Sequence, residues 1–98
     1  MSKIKNFAEA VLLDDSLDDW NLVRDFGEFL VRLDADEILG HALLARACRH
    51  IGDRRRAREE LGKCRALASQ GLSPGQREIF LPLLSEEEKH LSEEPLGV

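Results

Sequence analysis

From about residue 17 to residue 84, apolar side chains return every three or four positions, and only short segments with helix-capping chemistry interrupt them. Connections of about two to four residues leave no length of loop to carry one helix away from the next. Each helix must then lie antiparallel on its neighbour. The pattern predicts an all-α fold of stacked αα-hairpins, about five helices in one domain spanning residues 1–98.

The helix ends can be placed from local chemistry. A first helix over about Lys3 to Leu13 puts Phe7, Ala10 and Val11 on one side, and the acidic DDSLDD ends it, because carboxylates are unfavourable at a helix C-terminus. Ser16 and Asp19 have the spacing of a capping box for a second helix, about Leu17 to Leu33, whose buried stripe is Trp20, Val23, Phe26 or Gly27, and Leu30. Asp34 or Asp36 caps a third helix that ends near Ile51, with His41, Leu44, Cys48 and Ile51 on one stripe. Gly52 closes that helix in the left-handed conformation and Asp53 caps the fourth, about Arg54 to Ser69, which buries Ala57, Leu61, Cys64 and Ala68 before Gly71. In SPGQ, Ser73 is the N-cap, Pro74 opens the helix and Gln76 reaches back. The fifth helix carries Ile79, Phe80, Leu83 and Leu84 before an acidic exit, and Pro82 removes one backbone bond inside it.

Composition bounds what such a stack can be. Ninety-eight residues, 43% hydrophobic and 34% charged, supply one core and no second one. No apolar run approaches the roughly 18 residues a membrane span needs, and the N-terminal sequence has no long apolar block before a small-residue cleavage site, so a cytoplasmic location is expected. Cys48 and Cys64 are then expected as buried, reduced thiols. Charge is uneven: residues 1–38 hold four Lys/Arg and ten Asp/Glu, residues 39–77 nine and three, residues 78–98 one and six. A basic middle between acidic flanks implies charges that meet within the fold or a surface that steers a partner.

Residues 38–71 carry a recognisable repeat pattern. His41, Leu44, Ala45 and Cys48 stand in a W-x2-L-G-x2-Y ladder, Gly52-Asp53 makes the turn, Ala57 and Leu61 occupy the A-x3-F places, and Ser69 stands where a proline closes the unit. This segment resembles the tetratricopeptide repeat, a helix-turn-helix unit of about 34 residues. One unit earlier, Asp18-Asp19-Trp20, Val23 and Ala35 echo the same places, and later Ile79, Phe80 and Leu83 fit another first helix after one inserted residue. The resemblance implies a right-handed helical array: residues 1–37 as a degenerate hairpin, 38–71 as the best-matching repeat, 72–92 as a capping helix and 93–98 as a tail. It also implies a concave peptide groove lined by Leu39, Ala42, Arg46, Arg49 and His50.

With Leu44 at the centre of the buried stripe, Arg46 and Arg49 fall about 200° and 140° away, one turn apart, where they could hold a carboxylate bidentately. The arginines at 54, 55, 56 and 58 oppose the dipole of the fourth helix, and Asp53, Glu59, Glu60 and the acidic ends of the chain are candidates to neutralise them. They divide over two edges of the helix and have no aromatic platform, so nucleic-acid binding through residues 46–65 is the alternative rather than the leading reading.

No nucleophile, base and charge-stabilising group come together in the pattern, so no enzyme, cofactor or metal site is expected. His41, Cys48 and Cys64 read as packed side chains rather than metal ligands, and Asp14, Ser16 and Asp18 lack the glycine and glutamate of a calcium loop. The expected function is a protein-interaction module, adaptor or chaperone-like, for a polypeptide whose candidate character is acidic. A homodimer through Ile79, Phe80, Leu83 and Leu84 is a second candidate, and occupation of the arginine groove by the acidic segment 86–98 a third.

Overall fold

A computed structural model describes residues 19–93. They form four helices: α1 Trp20–Leu33, α2 Ile38–Ile51, α3 Arg54–Gln70 and α4 Pro74–Glu93. No strand occurs among the described residues, and none of their helices is long and apolar enough to cross a membrane. The expected helix over residues 3–13 and the end of the tail, 94–98, lie outside the described residues. α1 and α2 pack as one hairpin, α2 and α3 as the next, and α4 returns across both α2 and α3.

The boundaries follow from which polar group takes up the orphan backbone donors. Asp19 itself caps α1, its side chain accepting from Leu22 N at 3.0 Å, so the helix begins at Trp20 rather than at Leu17. Asp34 and Asp36 do not cap α2: the Asp34 carboxylate accepts from Asp36 N, closing a turn, and Glu37 takes the cap position with no side-chain bond. Gly52, with φ 101°, ends α2, and Asp53 accepts from Arg56 N at 3.1 Å to open α3. Ser73 and Gln76 form the reciprocal pair expected of a capping box, Ser73 Oγ accepting from Gln76 N and Gln76 Oε1 from Ser73 N. α4 does not stop at its glutamates but runs through them to Glu93.

The core is organised around α2. Every residue from Ile38 to Cys48 is buried, which a helix tolerates only if nearly all its side chains are apolar or small and the few polar ones find partners. Leu43 and Leu44 are almost wholly enclosed, each contributing about 1.5–3 kcal/mol by burial. Ile51, placed on the buried stripe by periodicity, is 37% exposed because it is the last helical residue before the turn.

Close approach depends on small residues. A Cβ on Gly40 would lie 2.9 Å from Val31 Cγ2 and 3.0 Å from Val31 N, and one on Gly27 would lie 3.0 Å from Leu44 Cγ. Two glycines on facing helices therefore set how closely α1 packs on α2. Ala57, with no exposed surface, does the same between α2 and α3. Gly62, by contrast, has nothing within 4 Å of the missing Cβ.

Gly40→Ala is expected to cost about 1–3 kcal/mol through overpacking against backbone, despite the better helix propensity of alanine. Gly62→Ala should instead add about 0.5–1 kcal/mol. Urea denaturation of the two variants beside the wild type checks both signs.

Candidate functional site

The groove expected along α2 is filled by the chain itself. Leu39, Ala42 and Arg46 retain only 3%, 0% and 4% of their exposure, and Arg49 and His50 are half-buried. The covering element is α4. Its Phe80, Leu83, Leu84 and Leu91 are buried against the core and Ile79 is packed at its edge. Ile79, Phe80, Leu83 and Leu84, considered above as a dimer surface, thus cap the stack from within, leaving Leu81 as the exposed large apolar residue of α4.

The arginine pair does hold a carboxylate, and that carboxylate is Glu87. Arg49 Nε donates to Glu87 Oε1 at 2.5 Å and Arg49 Nη2 to Oε2 at 3.1 Å, the bidentate geometry that a guanidinium favours. Arg46 Nε adds a bond to Glu87 Oε2 at 3.2 Å, and its Nη2 reaches Glu86 at 3.4 Å. The Glu87 side chain is 1% exposed. Two cations one turn apart on α2 thus meet two carboxylates on α4. The acidic segment reaches the arginine face as part of the folded core, with Glu86 and Glu87 inside α4, rather than as a loose tail.

His50, the last of the expected groove residues, stacks flat on Trp20, with ring centroids 3.9 Å apart and planes 1° from parallel. It ties the C-terminal turn of α2 to the start of α1.

Arginines of α3 also find carboxylates within the chain. Arg56 pairs with Glu28 on α1 and with Glu60 on its own helix, Arg55 with Glu59, and Arg65 with Glu88 on α4. Arg54 Nη2 donates to the Leu91 carbonyl at 3.2 Å. The hydrogen bond from Arg65 holds the Glu88 carboxyl below its ordinary range despite slight burial, and Arg65 is raised by the same bond.

His41 and Glu60 form a second buried polar pair. His41 Nδ1 lies 2.7 Å from Glu60 Oε1, and its Nε2 lies 2.8 Å from the Ala35 carbonyl. Both partners are acceptors, so the contacts are satisfied when the ring donates from both nitrogens. Burial alone would raise the Glu60 carboxyl, but the bond from His41 and the nearby Lys63 outweigh it and hold it low. The pair pins the α1–α2 connection to α3.

Cys48 and Cys64 are unpaired thiols without access to solvent, and burial pushes them up to about 11 and about 12. They are core packing. Among the described residues no three metal-ligating side chains come together.

Among the described residues, α1 exposes large apolar side chains that the core stripe does not use. Leu22, Phe29 and Leu33 are 63%, 48% and 55% exposed, and Phe26 sits between them half-buried at the edge of the core. At 100° per residue these four side chains fall within about 60° of arc, beside the stripe that packs on α2. The spacing of four, three and four residues was legible in the sequence as a second apolar stripe, but assigning Phe26 or Gly27 to the core hid it. A groove of about 490 Å³ lies between α3 and α4, floored by Leu61 and Leu91 and edged by Arg58 and Arg65.

Comparison of the chain with family models, with curated proteins and with solved structures finds no match. The repeat resemblance therefore rests on the residues between 38 and 71 that suggested it.

Glu87→Gln should destabilise the protein by about 3–5 kcal/mol, because it leaves two guanidiniums facing a neutral amide in a buried place. Chemical denaturation measures the loss. For Glu60, whose folded carboxyl is held low, the stabilising contribution is present above the unfolded value of about 4.3 and disappears as pH falls through the folded one. The stability gap between the wild type and Glu60→Gln should accordingly shrink on acidification below about pH 4.3, as followed by denaturation across a pH series.

Proposed function

We propose that this chain is a non-enzymatic protein-interaction module that receives a helical polypeptide segment along the outer face of α1. The observation that carries the reading is the apolar stripe of Leu22, Phe26, Phe29 and Leu33, which repeats at the spacing by which one helix seats against another and exposes three large side chains. Single exposed apolar residues are ordinary on protein surfaces. Three on one helical line, Leu22, Phe29 and Leu33, are the kind of contiguous patch that marks a docking face.

The charge arrangement supports a polypeptide over a nucleic acid. Arg46, Arg49, Arg55, Arg56 and Arg65 each have a carboxylate within the chain, so phosphates would have to displace partners already in place. Recognition by the Arg46–Arg49 pair of an acidic peptide meets the same obstacle, because Glu87 fills that role from α4. On α1 the Arg24–Asp25 contact, at 3.5 Å, is exposed.

Panning a displayed library of amphipathic helical peptides on the full chain should enrich binders that the Leu22→Glu plus Phe29→Glu variant no longer holds. A parallel titration with a single-stranded oligonucleotide at low salt should show no binding. Peptides retained equally by the variant, or oligonucleotide binding with no peptide enrichment, would reject the reading.

A further inference from the structure

Two residues of α3 are out of keeping with the rest of that helix, and both line the groove between α3 and α4. The first is Arg58. Arg54 donates to the Leu91 carbonyl, Arg55 pairs with Glu59, Arg56 with Glu28 and Glu60, and Arg65 with Glu88, whereas Arg58 has no hydrogen bond or ion pair among the described residues. The second is Gly62, one turn further along the same edge. Glycine weakens a helix interior, and no close contact requires it here. A Cβ on Gly62 would meet nothing within 4 Å, where one on Gly27 or Gly40 would crowd the facing helix.

The groove joins these two residues to an apolar floor. It holds about 490 Å³ and runs along α3 from Arg58 to Arg65, with Leu61 and Leu91 beneath and Glu88 on the α4 side. Seven helical positions make it about 10 Å long, or two turns. At the Arg65 end the cation is already matched by Glu88; at the Arg58 end it is not. The groove is therefore apolar along its floor, open at Gly62 and positively charged at one end.

We propose that this groove receives a helical segment of another polypeptide, with an acidic side chain at Arg58 and aliphatic side chains against Leu61 and Leu91. Gly62 favours a polypeptide over a small molecule. Within this protein Gly27 and Gly40 are the places where one helix comes close to the backbone of another, and Gly62 offers the same close approach on the surface. Charge fixes the partner's sign. A guanidinium with no partner suits a carboxylate bound through two hydrogen bonds, as Arg49 already holds Glu87. A groove two turns long matches apolar anchors three or four positions apart, with the acidic residue one turn beyond them. It shares no residue with the outer stripe of α1, so neither reading depends on the other.

A displayed library of helical peptides panned on the full chain, with counter-selection on Gly62→Leu, should return peptides that carry Asp or Glu one turn from an aliphatic pair. In calorimetric titration of one synthesised member, Arg58→Glu should weaken binding by about tenfold or more, and Gly62→Leu should abolish it. Leu22→Glu plus Phe29→Glu should leave it unchanged. Gly62→Ala separates binding from folding: it should stabilise the chain against urea yet weaken the peptide several-fold, because its methyl stands where the partner's backbone comes close. A selection that returns no peptide dependent on Gly62, as it would if residues 94–98 or a second copy filled the groove, would overturn the proposal. So would peptides that Arg58→Glu holds as tightly as the wild type does. Peptides lost only by Leu22→Glu plus Phe29→Glu would support the α1 face and refute this one.

Discussion

The bond network around Glu87 is the condition on which the arrangement of α4 depends. α2 carries Arg46 in the middle of a segment buried on all sides, and an unpaired guanidinium there would cost several kcal/mol in desolvation. Glu87 removes that cost by accepting from Arg46 and Arg49 together, and Glu86 supplies the second negative charge. Only with the charges matched can Phe80, Leu83, Leu84 and Leu91 bring α4 down onto the stack. The ion cluster does not add its full Coulomb attraction to stability, since both partners give up water. Its larger effect is selective: α4 can seat in the register that brings glutamate to arginine, and other registers strand a charge.

A second buried polar pair, His41 with Glu60, acts at the opposite end of the core. It joins the Ala35 carbonyl in the first connection to α3 through a single imidazole. Arginines of the basic middle also pair with both acidic flanks, Glu28 from one side and Glu86, Glu87 and Glu88 from the other.

The groove residues illustrate how a right chemical argument can reach a different place. Helical periodicity put Arg46 and Arg49 on a face turned away from the α2 stripe, and their spacing suggested a clamp for a carboxylate. Both inferences concern one helix. Whether that face opens to solvent is settled by where a helix some forty positions later comes to lie, and the same acidic run that was read as a helix exit is the element that closes it. Phe80, Leu83 and Leu84 were likewise recognisable as an apolar excess, but whether the excess meets a second copy or the chain's own core is a question of packing.

The sequence by itself determined the four described helices in outline and their hairpin packing, because caps such as Asp53, Ser73 with Gln76, and the left-handed Gly52 act within a few residues and a 3.6-residue period needs no partner to be read. It also determined that Cys48, Cys64, Ala57 and Leu61 are interior. Only the tertiary structure decided which faces are covered: that α2 is enclosed on every side, that Gly27 and Gly40 meet, that Glu87 completes the arginine pair, and that the Leu22–Leu33 face is left outside. The physical reason is range. Hydrogen bonds at helix ends are local, whereas burial and charge matching are properties of surfaces that come together from distant parts of the chain.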